Sequence, residues 1–302
     1  MWRPGYPVDV RATLATHARG SGDPAYRVTA DGAVWRAVRT PEGPGTLRVH
    51  AAPRVGEVTG RAWGPGADWL LSRLPALLGA DDEPAAFRPA ADHGVLRDAA
   101  RRHAGFRVSR TDLMLEALVP AVLEQKVTGT EAHRSWRQLL WRFGAAAPGP
   151  RDPAGRMRVP PDARTWTSLA SWHWHLAGVD PRRARTVRVA ASAAGRLEET
   201  LAMGVDVGER RLRVLPGVGA WTSAEVRQRA FGDADAVSVG DLHVPGMIGW
   251  ALTGRVVDDA GMLALLEPYA GHRYRVQRLL ELAGVAVPRR APRFAPRDYR
   301  SF

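Results

Sequence analysis

A five-residue segment with two glycines, Leu-Pro-Gly-Val-Gly at positions 215–219, constrains this chain more than any other part of its sequence. It lies between two stretches of helical spacing, so the pattern predicts helix, tight turn and helix over 210–226. Gly217 and Gly219 have no Cβ, so the turn can reach positive φ and its backbone N–H groups can approach a phosphate closely. Such a turn holds a phosphodiester without reading bases, although an ordinary αα-hairpin has the same outline.

The second half of the chain has the apolar spacing of helices. The residues over 111–143 suit two successive core-facing helices with a break at Gly129. The pattern repeats over 165–198, where Asp180 is expected to cap a helix that restarts with Pro181 in its first position. Further helices are expected within 206–231, 241–253, 258–268 and 272–284.

The first part of the chain has a different pattern, with short alternating segments separated by turn residues. We predict a small antiparallel sheet with one or two helices there. An acidic, proline-containing stretch at 81–89 is interpreted as a linker. The predicted fold class is mainly α, with an N-terminal α+β domain over 1–88, an all-α domain over 89–288 and a Pro/Arg-rich tail over 289–302.

The composition narrows the chemistry. The net charge of +12 favours a polyanionic partner such as nucleic acid, although a high-GC genome also raises the arginine content. The absence of cysteine excludes disulfides, zinc-thiolate sites, iron–sulfur clusters and cysteine nucleophiles. No window holds eighteen uninterrupted apolar residues, and the first twenty residues lack the apolar stretch of a signal peptide. We expect a cytoplasmic, nucleoid-associated protein with no membrane contact.

The hairpin is followed by Trp221-Thr222 and then by Asp-Ala-Val-Ser-Val-Gly-Asp at 235–241. This ordered set resembles the helix-hairpin-helix DNA glycosylase superfamily, and within it most closely the DNA-3-methyladenine glycosylase II branch. The resemblance extends over nearly the whole chain, but only this stretch carries specific motifs. It implies a helical glycosylase bundle whose hairpin binds the DNA backbone and whose aspartate, here Asp241, enters the active site. The hairpin residues it assigns to DNA are Leu215, Gly217, Val218, Gly219 and Thr222.

A second element, Val-Leu-Glu-Gln-Lys-Val-Thr at 122–128, resembles the turn that carries a DNA-probing glutamine in the same family. Gln125 fits that position. The family tends to place an apolar wedge next, whereas this chain has Lys126. Either Val127 or Gln125 therefore takes the wedge role, or Lys126 contacts a phosphate; a solvated helix end is the alternative.

The resemblance implies a base-excision-repair enzyme that flips a damaged nucleotide and hydrolyses its N-glycosidic bond. Cleavage builds positive charge on the sugar, which a carboxylate stabilises while it orients water. At about 4 Å and an effective dielectric near 20, one charge contributes roughly 4 kcal/mol, or about a thousandfold in rate. Asp241 supplies that carboxylate in this interpretation. Because it precedes an expected helix start, Asp241 is alternatively a helix cap.

The alkylpurine branch acts on cationic bases of the 3-methyladenine and 7-methylguanine class, which leave easily. Such a base stacks on electron-rich rings, an attraction of about 0.5–2 kcal/mol. Trp221 is the leading candidate for the pocket wall, followed by Trp136, Trp172 and Tyr274, each of which would equally suit the core. The position of the family's other pocket tryptophan falls near 280–281, where this chain has none.

The chain has one lysine, Lys126, and none at position 221, where strand-nicking relatives place their Schiff-base lysine. We therefore predict a monofunctional enzyme. The resemblance further implies action without a cofactor, as a monomer, on damaged double-stranded DNA. Two alternatives remain: strand nicking through Lys126, and a non-catalytic DNA-binding protein that keeps the hairpin. The family's hairpins commonly bind Na+ or K+ through backbone carbonyls, here those of Arg213, Leu215 and Val218.

Overall fold

The computed structural model describes residues 1–52 and 56–288. The predicted tail over 289–302 lies outside the described residues. None of the described helices is both long and apolar enough to cross a lipid bilayer. The strands lie in the first quarter of the chain, apart from one short pair, and helices dominate the rest. The predicted fold class is therefore confirmed.

A four-stranded antiparallel meander forms the N-terminal sheet. The first strand is short and pairs with the second over three residues. The second and third strands pair over seven residues, from Val34↔Val49 to Thr40↔Gly43, and the third and fourth strands also pair over seven. One face packs on helices, and the other carries Trp35 stacked on Trp63 at 5.2 Å between ring centroids. The strands and the helices around them are β1 (Tyr26–Val28), β2 (Val34–Thr40), β3 (Gly43–Ala52), β4 (Glu57–Trp63), α1 (Val10–Leu14), α2 (Ala67–Ser72) and α3 (Leu74–Leu77).

In the helical part, capping residues mark two of the predicted helix starts. Thr128 and Glu131 form a capping box, which explains the predicted break at Gly129. Asp180 accepts the N–H groups of Arg182 and Arg183 ahead of Pro181, as predicted. The elements are α4 (Gly94–Arg102), α5 (Met114–Leu123), α6 (Gly129–Phe143), β5 (Ala145–Ala146), β6 (Arg158–Val159), α7 (Ala163–Ser168), α8 (Ser171–Leu176), α9 (Pro181–Ser192), α10 (Ala194–Glu198), α11 (Val205–Val214), α12 (Ala220–Val226), α13 (Val244–Thr253), α14 (Asp259–Leu266) and α15 (Arg273–Leu282).

Two separate apolar cores divide the helical part. One is built from the helices between α5 and α12, and the other from α4 and α13–α15. The segment 232–243, which connects α12 to α13, crosses from the first core to the second. The candidate site lies along this crossing, because the hairpin precedes α12 and Asp241 precedes α13.

A buried ion pair fastens the predicted linker to the last helix. The Asp82 carboxylate pairs with the Arg275 guanidinium, and both side chains are only 2% exposed. Asp82 Oδ2 also accepts the backbone N–H of Val108 at 3.0 Å. Asp82 is thus a structural group, whereas its neighbour Asp81 is exposed and lies 3.7 Å from Arg110. The domain boundary placed at this linker stays a prediction.

We predict that Asp82→Ala lowers the free energy of unfolding by about 3–5 kcal/mol, because it leaves the Arg275 charge buried without its partner. Urea denaturation followed by circular dichroism measures the change. The matched control is Asp81→Ala, whose exposed ion pair contributes about 0–1 kcal/mol. Equal effects of the two substitutions would contradict the assignment.

Candidate active site

The hairpin has the tight turn that its two glycines predict. α11 ends at Val214 and α12 begins at Ala220, with Gly217 between them at φ +86°. A Cβ on Gly217 would overlap Thr186 Oγ1, whose hydroxyl donates to the carbonyl of Pro216 at 3.0 Å. A Cβ on Gly219 would meet open space. Gly217 therefore serves close packing against α9, while Gly219 leaves the start of α12 accessible from solvent.

Gln125 joins the turn after α5 to this hairpin. Its Nε2 donates to the carbonyl of Gly217 at 2.9 Å and to Thr222 Oγ1 at 2.8 Å. Lys126 follows with φ +55° and an exposed side chain. The structure thus brings together the two segments that the resemblance assigns to DNA. Their roles toward DNA stay predictions.

Asp241 lies beside the first turn of α12. Its Oδ2 accepts the indole N–H of Trp221 at 2.9 Å. Its Oδ1 accepts the backbone N–H groups of His243 at 2.7 Å and Val244 at 3.0 Å. The carboxylate therefore combines the helix-capping role that the sequence left open with a direct link to the residue two positions beyond the hairpin. The side chains of Trp221 and Asp241 are both partly exposed.

A buried polar relay fixes the segment that carries Asp241. Ser238 Oγ donates to Glu225 Oε1 at 2.6 Å, and Gln228 Nε2 donates to Ser238 Oγ at 2.9 Å and to the carbonyl of Ala236 at 2.6 Å. Arg229 Nη1 donates to Glu225 Oε2 at 2.7 Å. Trp221, Glu225 and Gln228 lie about one helical turn apart, so they share one face of α12 and its continuation.

The helix continues from α12 as a π-helical turn, Arg227–Phe231. Insertions of this kind occur frequently at functional sites. Sequence reasoning missed Glu225, Gln228 and Ser238, although the spacing of Glu225 and Gln228 from Trp221 was a usable signal for a shared helix face.

The two aspartates of the 235–241 motif have different partners. Asp235 accepts the backbone N–H groups of Gly271 and Arg273 and pairs with the Arg273 side chain at 2.7 Å. It therefore anchors the start of α15. Asp241 is the one of the two that contacts Trp221.

A small polar cavity of about 30 Å³ lies behind Arg229, between the N-terminal sheet and the helices. That volume holds about two water molecules. Burial lowers the pKa of His17 well below its usual value, and nearby arginines, Arg36 first among them, lower it further. Burial raises the pKa of Glu116, which pairs with Arg36. His17 is therefore neutral in a cavity bordered by charged groups.

The remaining predicted pocket aromatics differ in their surroundings. Trp136 is buried and donates its indole N–H to Asp23 at 2.8 Å, and Tyr274 is buried in the core of α4 and α13–α15. Trp172 is 52% exposed on α8. Across the described residues, no ring contact joins any of the three to Trp221. Trp136 and Tyr274 thus lie in the core, the alternative that the sequence left open. A role of Trp136, Trp172 or Tyr274 in the base pocket stays a prediction.

The carbonyl groups predicted to bind a monovalent cation lie in and beside the hairpin turn. The Leu215 carbonyl accepts the N–H of Val218 at 3.0 Å, and a carbonyl oxygen has a second lone pair. In residues 1–52 and 56–288, no three His, Asp or Glu side chains cluster to hold a metal ion. A cation at these carbonyls stays a prediction.

Searches against known proteins give the following relatives. No family model matches the chain. The chain is 29% identical over 239 residues to a protein of Mycobacterium tuberculosis named probable bifunctional transcriptional activator/DNA repair enzyme AlkA. The match covers 75% of this chain and 45% of the relative, so the chain spans less than half the length of the curated protein it matches.

Solved structures match over nearly the whole chain. The 3-methyladenine DNA glycosylase of Archaeoglobus fulgidus has a TM-score of 0.76 at 17% identity, covering 94% of this chain and 99% of that one. The 8-oxoguanine glycosylase/lyase of Clostridium acetobutylicum, in complex with double-stranded DNA, has a TM-score of 0.66 at 10% identity, covering 91% of each chain. At these identities the matches establish the fold.

We predict that Gly217→Ala destabilises the protein by about 2–4 kcal/mol, because it combines a left-handed backbone with an overlap at Thr186. Thermal unfolding measures the loss. Gly219→Ala is the matched control, since its φ is −93° and its Cβ position is open, and it should leave the melting temperature nearly unchanged. Equal losses in both variants would argue against the described turn.

Proposed function

We propose that this chain, which has the fold of the helix-hairpin-helix DNA glycosylases, is a base-excision-repair glycosylase. It hydrolyses the N-glycosidic bond of alkylated purines of the 3-methyladenine and 7-methylguanine class in duplex DNA. The observation that carries this proposal is the hydrogen bond from Trp221 Nε1 to Asp241 Oδ2. Trp221 lies two residues beyond the hairpin turn. This hydrogen bond sets a carboxylate and an aromatic face beside the turn that would grip the strand.

The chemistry assigned to Asp241 is electrostatic. As the bond to the base lengthens, positive charge develops on the deoxyribose, and a carboxylate held nearby stabilises it. Because Trp221, His243 and Val244 hold both oxygens in place by hydrogen bonds, the charge is oriented before the substrate arrives. The same oxygens have further lone pairs that accept a hydrogen bond from the attacking water.

The buried relay behind Asp241 supports its position. Ser238 is fully buried and hydrogen-bonded to Glu225 of α12 and to Gln228 of its π-helical continuation, so the segment that precedes Asp241 is held at two points. A catalytic group needs such support because small displacements weaken its effect on the transition state.

Recognition of the base rests on Trp221 in this proposal. Its ring is partly exposed, and a cationic purine stacked on it gains a cation–π attraction that neutral bases lack. The first turn of α12 would bind a phosphate through backbone N–H groups at Gly219 and beyond, with Gln125 and Lys126 on the same side. The net charge of +12 supports a DNA partner. Monomeric action is part of the proposal.

Hydrolysis without strand cleavage follows from the lysine count. Position 221 holds tryptophan, and Lys126, the single lysine of the chain, lies on the turn after α5. A Schiff base with the abasic sugar requires an amine at the reacting carbon. Position 221 has no amine to offer, because the indole nitrogen of tryptophan is not a nucleophilic amine.

Asp241→Asn should lower single-turnover release of 7-methylguanine from methylated duplex DNA by about a thousandfold, because the side chain keeps its shape and loses its charge. Duplex binding should be retained. The matched control is Asp259→Asn, since the Asp259 carboxylate accepts the N–H of Gly240 on the same turn at 3.0 Å. The control should stay within about fivefold of wild type. Unchanged release by the Asp241 variant would refute its role.

Borohydride treatment of the protein with abasic duplex DNA tests monofunctionality. We expect no covalent adduct, because reduction traps a Schiff base only where an amine attacks the sugar. Lys126→Ala is the control: an adduct that forms in wild type and disappears in this variant would overturn the proposal in favour of strand nicking through Lys126.

A further inference from the structure

An open groove of about 700 Å³ lies between α6 and α8, away from the contact of Trp221 with Asp241. We call it the α6–α8 groove. Phe143 and His173 form part of its wall, with their rings in edge-to-face contact at 4.7 Å. The proposed glycosylase chemistry uses none of its residues. Its lining consists of Arg134, Arg137, Gln138, Leu139, Trp141, Arg142, Phe143, His173, Leu176 and Ala177.

The groove lies in a strongly basic part of the chain. Residues 126–196 contain thirteen lysines and arginines against four acidic residues, so they hold +9 of the net charge of +12. Within the part of the chain that the structure describes, Arg137, Arg142 and Arg158 have no acidic side chain within 4.0 Å. Their charge is therefore available to an anionic ligand.

Two exposed tryptophans lie at or beside this groove: Trp141 belongs to its lining, and the Trp172 ring contacts that of the lining residue His173. Trp141 is 48% exposed and Trp172 is 52% exposed, an unusual degree for so large an aromatic side chain. The Arg158 guanidinium lies 4.6 Å from the Trp141 ring centroid, and that of Arg142 lies 5.1 Å from the Trp172 ring centroid. Each accessible ring is thus paired with a cation, the combination that stacks bases and binds phosphates in single-strand binding proteins.

The groove starts close to the hairpin. α6 begins three residues after Lys126, and Gly178, which follows α8, accepts a hydrogen bond from Arg183 at 3.2 Å. Arg183 also donates to the carbonyl of Leu123 at the end of α5. Gly178, Arg183 and the turn before Lys126 therefore form one contact region. Ala177, which lines the groove, precedes Gly178, so the groove adjoins this region.

We propose that the α6–α8 groove is a second nucleic-acid site, which binds a single strand by stacking bases on Trp141 and Trp172. Arg137, Arg142 and Arg158 contact its phosphates. The exposed tryptophan rings favour a nucleic acid over an acidic peptide. The carboxylates of such a peptide would pair with the arginines, but they would not stack on the rings. The site does not include Asp241, so it can be tested independently of the proposed glycosylase activity.

Fluorescence anisotropy of the full chain with a short fluorescein-labelled oligothymidylate tests this site, since that strand contains no purine to excise. The double variant Trp141→Ala/Trp172→Ala should raise Kd about tenfold. Arg142→Gln should weaken binding less and flatten the dependence of Kd on salt concentration. Trp250→Ala, at a tryptophan 37% exposed on α13, is the matched control and should bind as wild type does.

Release of 7-methylguanine from a blunt duplex should be unchanged in Trp141→Ala and in Arg142→Gln, which separates this site from Asp241. An unchanged Kd in the double tryptophan variant would overturn the proposal. So would a polyglutamate peptide that binds wild type more tightly than the oligonucleotide and loses affinity in the same variant, because the groove would then be a protein-docking surface.

Discussion

The hydrogen bond between the Trp221 indole and the Asp241 carboxylate is the interaction on which the candidate site depends. It joins the helix that follows the hairpin to the segment that enters α13, and these belong to different apolar cores. Without it, the hairpin would be a strand-gripping turn and the aspartate a helix cap, with nothing to relate one to the other. In the proposed function, their proximity makes strand binding and bond cleavage parts of one site.

The relay behind that hydrogen bond explains how the site keeps its geometry in a chain that contains no cysteine. Glu225, Gln228 and Ser238 are buried, and their polar groups satisfy one another or Arg229. A buried network whose hydrogen bonds are all formed is rigid and favours one conformation. Loss of one partner leaves a buried polar group unpaired, which lowers the stability of that conformation. The network therefore favours a single position of the 236–241 segment.

The sequence predicted the local features of the site and missed the long-range ones. Local patterns predicted the hairpin, the break at Gly129 and the Asp180 cap, because each depends on residues only a few positions apart in the sequence. The pairing of Asp82 with Arg275 joins residues far apart in sequence, so the interpretation of 81–89 as a linker did not include it. Trp136 and Trp172 looked alike in the sequence, yet one is buried and the other half exposed, because only packing distinguishes them.

The central claim is that the Asp241 carboxylate stabilises positive charge on the sugar. Binding of two duplexes tests it most directly, one carrying a cationic pyrrolidine in place of the deoxyribose at an abasic position and the other a neutral tetrahydrofuran of the same shape. The account predicts that wild type binds the cationic duplex at least about a hundredfold more tightly, and that Asp241→Asn loses this preference. Equal affinity of wild type for the two duplexes would contradict it.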